Sequence, residues 1–177
     1  MKNYGDSNWK DKVTAIGGKA ITYDAIGNPL TYDGWTFTWK AGRMLASMVK
    51  TGTNAQFTYD HNGLRIKKVV NGVTTNYTLN GKNVVHMTQG SHDLHFFYDA
   101  QGKPGMVTYN DVDYFYVYNL QGDVVALIDA NGTQVVEYGY DAWGNPISKT
   151  GSLAATIGTL NPFRYRGYVY DEETELY

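Results

Sequence analysis

The amino-acid sequence predicts an all-β protein, a meander of antiparallel β-hairpins forming a curved or spiralling sheet. Three observations carry this expectation. Tyr-Asp pairs recur at Tyr23-Asp24, Tyr32-Asp33, Tyr59-Asp60, Tyr98-Asp99, Tyr140-Asp141 and Tyr170-Asp171, six pairs where 16 Tyr and 13 Asp among 177 residues would give about one by chance. An Asp or Asn stands three residues before a Gly at Asp24/Gly27, Asp60/Gly63, Asp99/Gly102, Asn119/Gly122, Asp129/Gly132 and Asp141/Gly144. Between these turns lie short runs in which apolar and polar residues alternate, the period of a half-buried strand.

In chain order the strand-like runs are ITY (21–23), TFTW (36–39), AQFTY (55–59), RIKKVV (65–70), VTTNYTL (73–79), NVVHM (83–87), DLHFFY (93–98), DYFYVY (113–118), DVVALI (123–128) and TQVVEYGY (133–140). Each D-x-x-G reads as the tip of a hairpin. The Asp or Asn side chain accepts backbone N–H bonds, and Gly takes positive φ without a Cβ penalty. A type I turn followed by a left-handed Gly is the three-residue hairpin loop with a bulge. Asn71-Gly72 and Asn80-Gly81 predict tight two-residue turns. Pro29 and Pro146, two residues after a turn Gly, cannot donate to a ladder and belong at a strand start or an edge. SLAATIGTL (152–160) interrupts the pattern as a loop or a single helical turn.

Composition narrows the function classes. Charged residues make up 18% of the chain and the net charge is −2, which supplies no basic stripe for a nucleic acid. There is no Cys, hence no disulfide, no thiolate metal site and no cysteine nucleophile. No apolar run has the length of a membrane span, and the opening MKNYGDSNWKDK lacks the apolar core of a signal peptide.

No residue set predicts catalysis, a cofactor or a metal. His92, Asp93 and His95 offer ligand types for zinc. Residues three apart on a strand face opposite ways, so His92 and His95 diverge. The run Asp171, Glu172, Glu173 and Glu175 reads as facing water rather than as a desolvated acid/base pair. Arg164 and Arg166, two apart in FRYRGY, project from one strand face. They are candidates to pair with Asp171 or Glu173, to stack on tyrosines, or to hold a ligand. Trp143, at a hairpin tip, either packs on a neighbouring layer or meets a ligand. The 16 Tyr read as cross-strand ladders. Exposed rows of Tyr and Trp would instead suit a cell-wall carbohydrate-binding module, the alternative to a scaffold.

These residues resemble the RHS and YD-repeat family of bacterial polymorphic toxins and wall-associated proteins. VYNLQGDVVALIDANGTQVVEYGYDAWGNPI (117–147) and NPFRYRGYVYDEETELY (161–177) are similar to the RHS repeat-associated core. The resemblance implies one repeat domain over residues 1–177. Its parts are a leader over 1–20, YD repeats over 21–110 and the core over 111–177, ending before the family's self-cleavage segment. It implies a non-enzymatic shell, secreted or at the cell surface, around a C-terminal toxin or effector. The implied partners are the remaining shell strands and that toxin, with neither a nucleic acid nor a membrane span. The family usually has Gly where this chain has Glu175, a departure from its pattern at the local turn near Thr174. A last strand around Tyr165–Tyr170 would offer an open edge for a second copy.

Overall fold

Strands this short need neighbours. The computed structural model, which describes residues 1–177, orders sixteen of them β1 to β16 as they occur in the chain, each antiparallel to the last. They are β1 (Lys2–Tyr4), β2 (Val13–Ile16), β3 (Lys19–Tyr23), β4 (Pro29–Tyr32), β5 (Trp35–Lys40), β6 (Met44–Lys50), β7 (Thr53–Tyr59), β8 (Arg65–Val70), β9 (Val73–Asn80), β10 (Asn83–Gln89), β11 (His92–Tyr98), β12 (Pro104–Tyr109), β13 (Val112–Tyr118), β14 (Val124–Ile128), β15 (Gln134–Tyr140) and β16 (Pro146–Thr150). The fold is therefore the all-β meander that the turn spacing predicts. The chain divides into two compact units, Met1–Thr75 and Asn76–Tyr177.

Alternation builds a core in each unit. In the first, Trp35 and Phe37 of β5 turn inward while Thr36 and Thr38 face water. They pack against Met48, Ala55, Phe57 and Val70. In the second, Leu94 and Phe96 of β11 are buried between exposed His95 and Phe97. They join Val107, Tyr116, Val124, Leu127 and Val136.

Tight turns and bulged turns divide the work of reversal. Asp33-Gly34, Asn71-Gly72 and Asn110-Asp111 hold positive φ at both central positions, the primed geometry that matches strand twist. The Asn80-Gly81 turn is displaced by one residue. Asn80 completes β9, and Gly81-Lys82 forms the loop with positive φ at Gly81 alone. Gly at the first central position suits that mirror-type turn. Pro29, Pro104 and Pro146 each open a strand, where no ladder donor is needed.

After β16 the chain leaves the sheet at Gly151. It forms one helical turn, α1 (Ile157–Leu160), then a 3-10 turn over Tyr165–Gly167. Ile157 and Phe163, 0% and 5% exposed, join the apolar core of the second unit. Burying side chains of this size contributes up to about 1.5–3 kcal/mol each. The strand expected around Tyr165–Tyr170 is absent. Arg166 has φ 52° and Gly167 has φ 72°, so two successive left-handed residues break any extended run. In place of a strand ladder the segment has two isolated bridges, Phe163 to Val169 and Asp171 to Leu176.

Candidate functional site

The six Asx-Gly turns share one set of bonds. The N–H of Gly27, Gly63, Gly102, Gly122, Gly132 and Gly144 donates to the carbonyl of Asp24, Asp60, Asp99, Asn119, Asp129 and Asp141 at 3.0–3.2 Å. The side-chain Oδ1 of each Asp or Asn accepts the N–H groups two and four residues on, at 2.8–3.0 Å. The strand register shifts just before each turn, the bulge that the left-handed Gly requires. The N–H of Leu64 holds the Asp60 carboxyl below its ordinary pKa.

The tyrosine before the turn does more than line a ladder. The Tyr23 hydroxyl donates to the Val13 carbonyl at 2.6 Å, Tyr59 to Leu45 at 2.9 Å, Tyr98 to Val84 at 2.7 Å, Tyr118 to Pro104 at 2.6 Å and Tyr140 to Val124 at 2.8 Å. Trp39 Nε1 does the same to the Pro29 carbonyl at 2.7 Å. Every acceptor is the first or second residue of the preceding strand. The aromatic residue near the end of one strand thus clasps the start of the preceding strand, while the bulge lies on its other side, in the ladder to the following strand. The recurrence of Tyr beside Asp was visible in sequence, but the destination of its hydroxyl was not.

These clasps make stability sensitive to alkali. Burial raises Tyr98 to about 12 from an ordinary 10.0. Burial also raises Tyr118, Tyr140 and Tyr138, and holds Tyr116 well above the usual range. Between about pH 10 and 12 the unfolded chain loses protons that the folded chain keeps, so stability present below pH 10 falls as pH rises through that window. The urea midpoint should drop steeply above pH 10, with a shallower slope in Tyr98→Phe. A midpoint unchanged to pH 11.5 would contradict the clasp.

The C-terminal segment is fastened by Arg164, which is 2% exposed. Its guanidinium donates to the carbonyls of Asn161 and Gly158, the latter at 2.6 Å, and to Glu172 Oε1 at 3.1 Å. The same guanidinium lies 4.2 Å from the Tyr138 ring centroid. Glu172 also takes Lys149 of β16 at 2.7 Å. Asn161, 1% exposed, accepts from the Tyr116 hydroxyl at 2.8 Å and donates to the Phe163 carbonyl at 3.0 Å. Phe163 stands edge-on to Phe96 with centroids 5.2 Å apart.

Arg164 and Arg166 therefore do not share a strand face. Arg166 lies on the 3-10 turn, its N–H donating to Asp123 Oδ1 at 3.0 Å. The acidic run does not simply face water either. Asp171 is buried, and Glu172 is held by Arg164 and Lys149. Glu175 has φ 57°, so an L-residue occupies a left-handed position there. Trp143 is 87% exposed at its hairpin tip. Trp35 packs in the first core, Trp39 is bonded to Pro29, and the Trp9 ring sits over Gly27.

His92 and His95 diverge as strand geometry requires. His92 Nδ1 meets the Tyr109 hydroxyl at 2.8 Å. On the opposite face, His95 lies directly across from His86 of β10, and the Asp93 carboxylate meets the Nε2 atom of both rings. His86 escaped the sequence reading because only strand register brings it there. No helix is long and apolar enough to cross a membrane.

Comparison with known proteins adds three findings. The family profile described as Teneurin YD-shell matches residues 6–177. The chain is 38% identical to a protein named tRNA3(Ser)-specific nuclease WapA from Bacillus spizizenii, over 96% of this chain and 8% of that protein. It is equally 38% identical to the tRNA nuclease WapA of Bacillus subtilis strain 168, again over 96% of this chain and 8% of the relative. The chain thus spans under a tenth of the curated relatives it matches. Among solved structures, the Tc holotoxin pore of Photorhabdus luminescens aligns with a TM-score of 0.61 at 15% identity, over 85% of this chain and 8% of that one. A TcdB2-TccC3 crystal structure aligns at 0.60 and 15% identity, over 84% and 8%. At that identity the likeness concerns the fold.

Proposed function

Because the chain belongs to the Teneurin YD-shell family, we propose that it is a length of wall in an RHS/YD-repeat shell whose parent protein encloses or presents a C-terminal toxin or effector. The observation that supports this reading is the repeated hairpin unit itself. Each bulged turn and each aromatic clasp rebuilds the same sheet edge, so strands are added without new chemistry. A wall of this kind grows by repetition. Its role is structural, and it acts outside the cell or at its surface in the setting of a secreted toxin. The nuclease activity in the relatives' names belongs, on this reading, to parts of those proteins beyond the matched length.

Two measurements test the proposal. The purified chain, incubated with total tRNA, should leave it intact. In the parent polypeptide, added protease should spare the C-terminal segment while the wall is whole and cut it once Arg164→Ala unfastens this part. Cleavage of tRNA by this chain alone, or a segment cut equally in both parents, would overturn the scaffold reading.

A further inference from the structure

Three donor groups gather on the face of the second unit that turns away from its core. β10 and β11 are joined by a two-residue turn at Gly90-Ser91, and Gln89 pairs with His92 next to it. Counting back from that turn places His86 opposite His95 at a non-hydrogen-bonded pair, where side chains approach most closely. Asp93, two residues before His95, projects from the same face and lies diagonal to His86. The imidazole rings stack with centroids 4.3 Å apart and planes 13° apart. Both Nε2 atoms point at the one carboxylate, His86 at 3.0 Å from Oδ2 and His95 at 2.9 Å from Oδ1. All three donor atoms lie within 4.8 Å of one another.

We infer that His86, Asp93 and His95 form a binding site for a divalent transition-metal ion of the zinc type, which clips β10 to β11 on the outer face. Two imidazole nitrogens and one carboxylate oxygen are donors for zinc, copper or nickel, whereas calcium and magnesium take oxygen ligands. A tetrahedral ion with bonds of about 2.0–2.2 Å needs its donors roughly 3.5 Å apart. The carboxylate already lies closer than that to each ring. The wider gap between the imidazoles closes by small side-chain rotations, which the solvent-facing side chains of Asp93 and His95, 47% and 51% exposed, can make. On binding, each Nε2 gives its proton to Nδ1 or to solvent and presents its lone pair to the ion. Three protein ligands leave a fourth position for water or for a donor from a bound partner.

Calorimetric titration of the full chain with zinc chloride tests the site. One zinc ion per chain should bind. His86→Gln and His95→Gln should each weaken binding at least about tenfold, and His92→Gln, whose ring is bonded to Tyr109 on the other face, should leave it unchanged. Nitrogen chemical shifts of the His86 and His95 Nε2 atoms should move on adding zinc, while those of His61 and His92 stay. Calcium and magnesium should give no heat. Absence of zinc binding would overturn the inference, as would binding indifferent to both substitutions or calcium binding of equal strength.

Discussion

Replacing Arg164 with Met should cost the second unit about 3–5 kcal/mol, the range for removing one member of a buried charged pair. Methionine fills much of the volume but donates no hydrogen bond. The Asn161 carbonyl would then stay buried without the donor that now meets it, while the Gly158 carbonyl would keep the Tyr138 hydroxyl at 2.9 Å. A buried group left unsatisfied costs about 1–3 kcal/mol. Glu172 would keep Lys149 and so remain partly compensated. Arg164→Lys should recover less than half of the loss, because a point charge cannot reach two carbonyls and a carboxylate in one plane. Glu172→Gln, which leaves both carbonyl bonds in place, should cost about 1 kcal/mol. Urea unfolding of the three variants, with limited proteolysis beyond Thr150, checks the order. A cost below 1 kcal/mol for Arg164→Met would mean that the segment is fastened elsewhere.

That segment also shows where sequence reasoning ran out. The turns were readable because each is decided within five residues. Asp99 bonds Gln101 and Lys103, Gly102 closes on Asp99, and no distant residue takes part. Strand existence followed from the turns. The Asn80-Gly81 displacement shows the limit even there, since pairing register decided which two residues form the loop. Arg164 lies at the other extreme. Its partners at positions 158, 161 and 172 come from a helical turn and a loop that fold back over the core. FRYRGY has the alternation of a strand, yet Arg166 and Gly167 reverse the backbone. The clue was the Gly after Arg166, which an extended strand has little use for. The His86, Asp93 and His95 cluster was hidden for a related reason. Spacing along one strand separates His92 from His95 correctly, but only cross-strand register supplies His86.

Gly151 is where the chain leaves the sheet, and Gly151→Ala should cost about 3–5 kcal/mol, near the top of the range for single substitutions. Its φ is +113°, a conformation that L-residues rarely adopt and that costs on the order of 1–3 kcal/mol. A Cβ there would also lie 2.3 Å from the Val135 carbonyl oxygen and 2.8 Å from its carbon. That carbonyl accepts the Leu153 N–H at 3.0 Å, so relief of the clash would pull away the bond that starts the return over the core. The obstacle is backbone of β15 and cannot rotate aside. Gly102→Ala provides the contrast. Gly102 has φ +79° but nothing within 4 Å of a built Cβ, so only the left-handed penalty applies, about 1–2 kcal/mol. Gly139→Ala falls between, because its Cβ would meet the Ser148 Oγ at 2.4 Å, the end of a side chain that can turn. Thermal unfolding of the three variants should rank them Gly151 first, then Gly139, then Gly102. Equal losses at Gly151 and Gly102 would show that the exit from β16 tolerates a side chain. The covering segment would then be held by Arg164 and Asn161 without help from the path that leads to them.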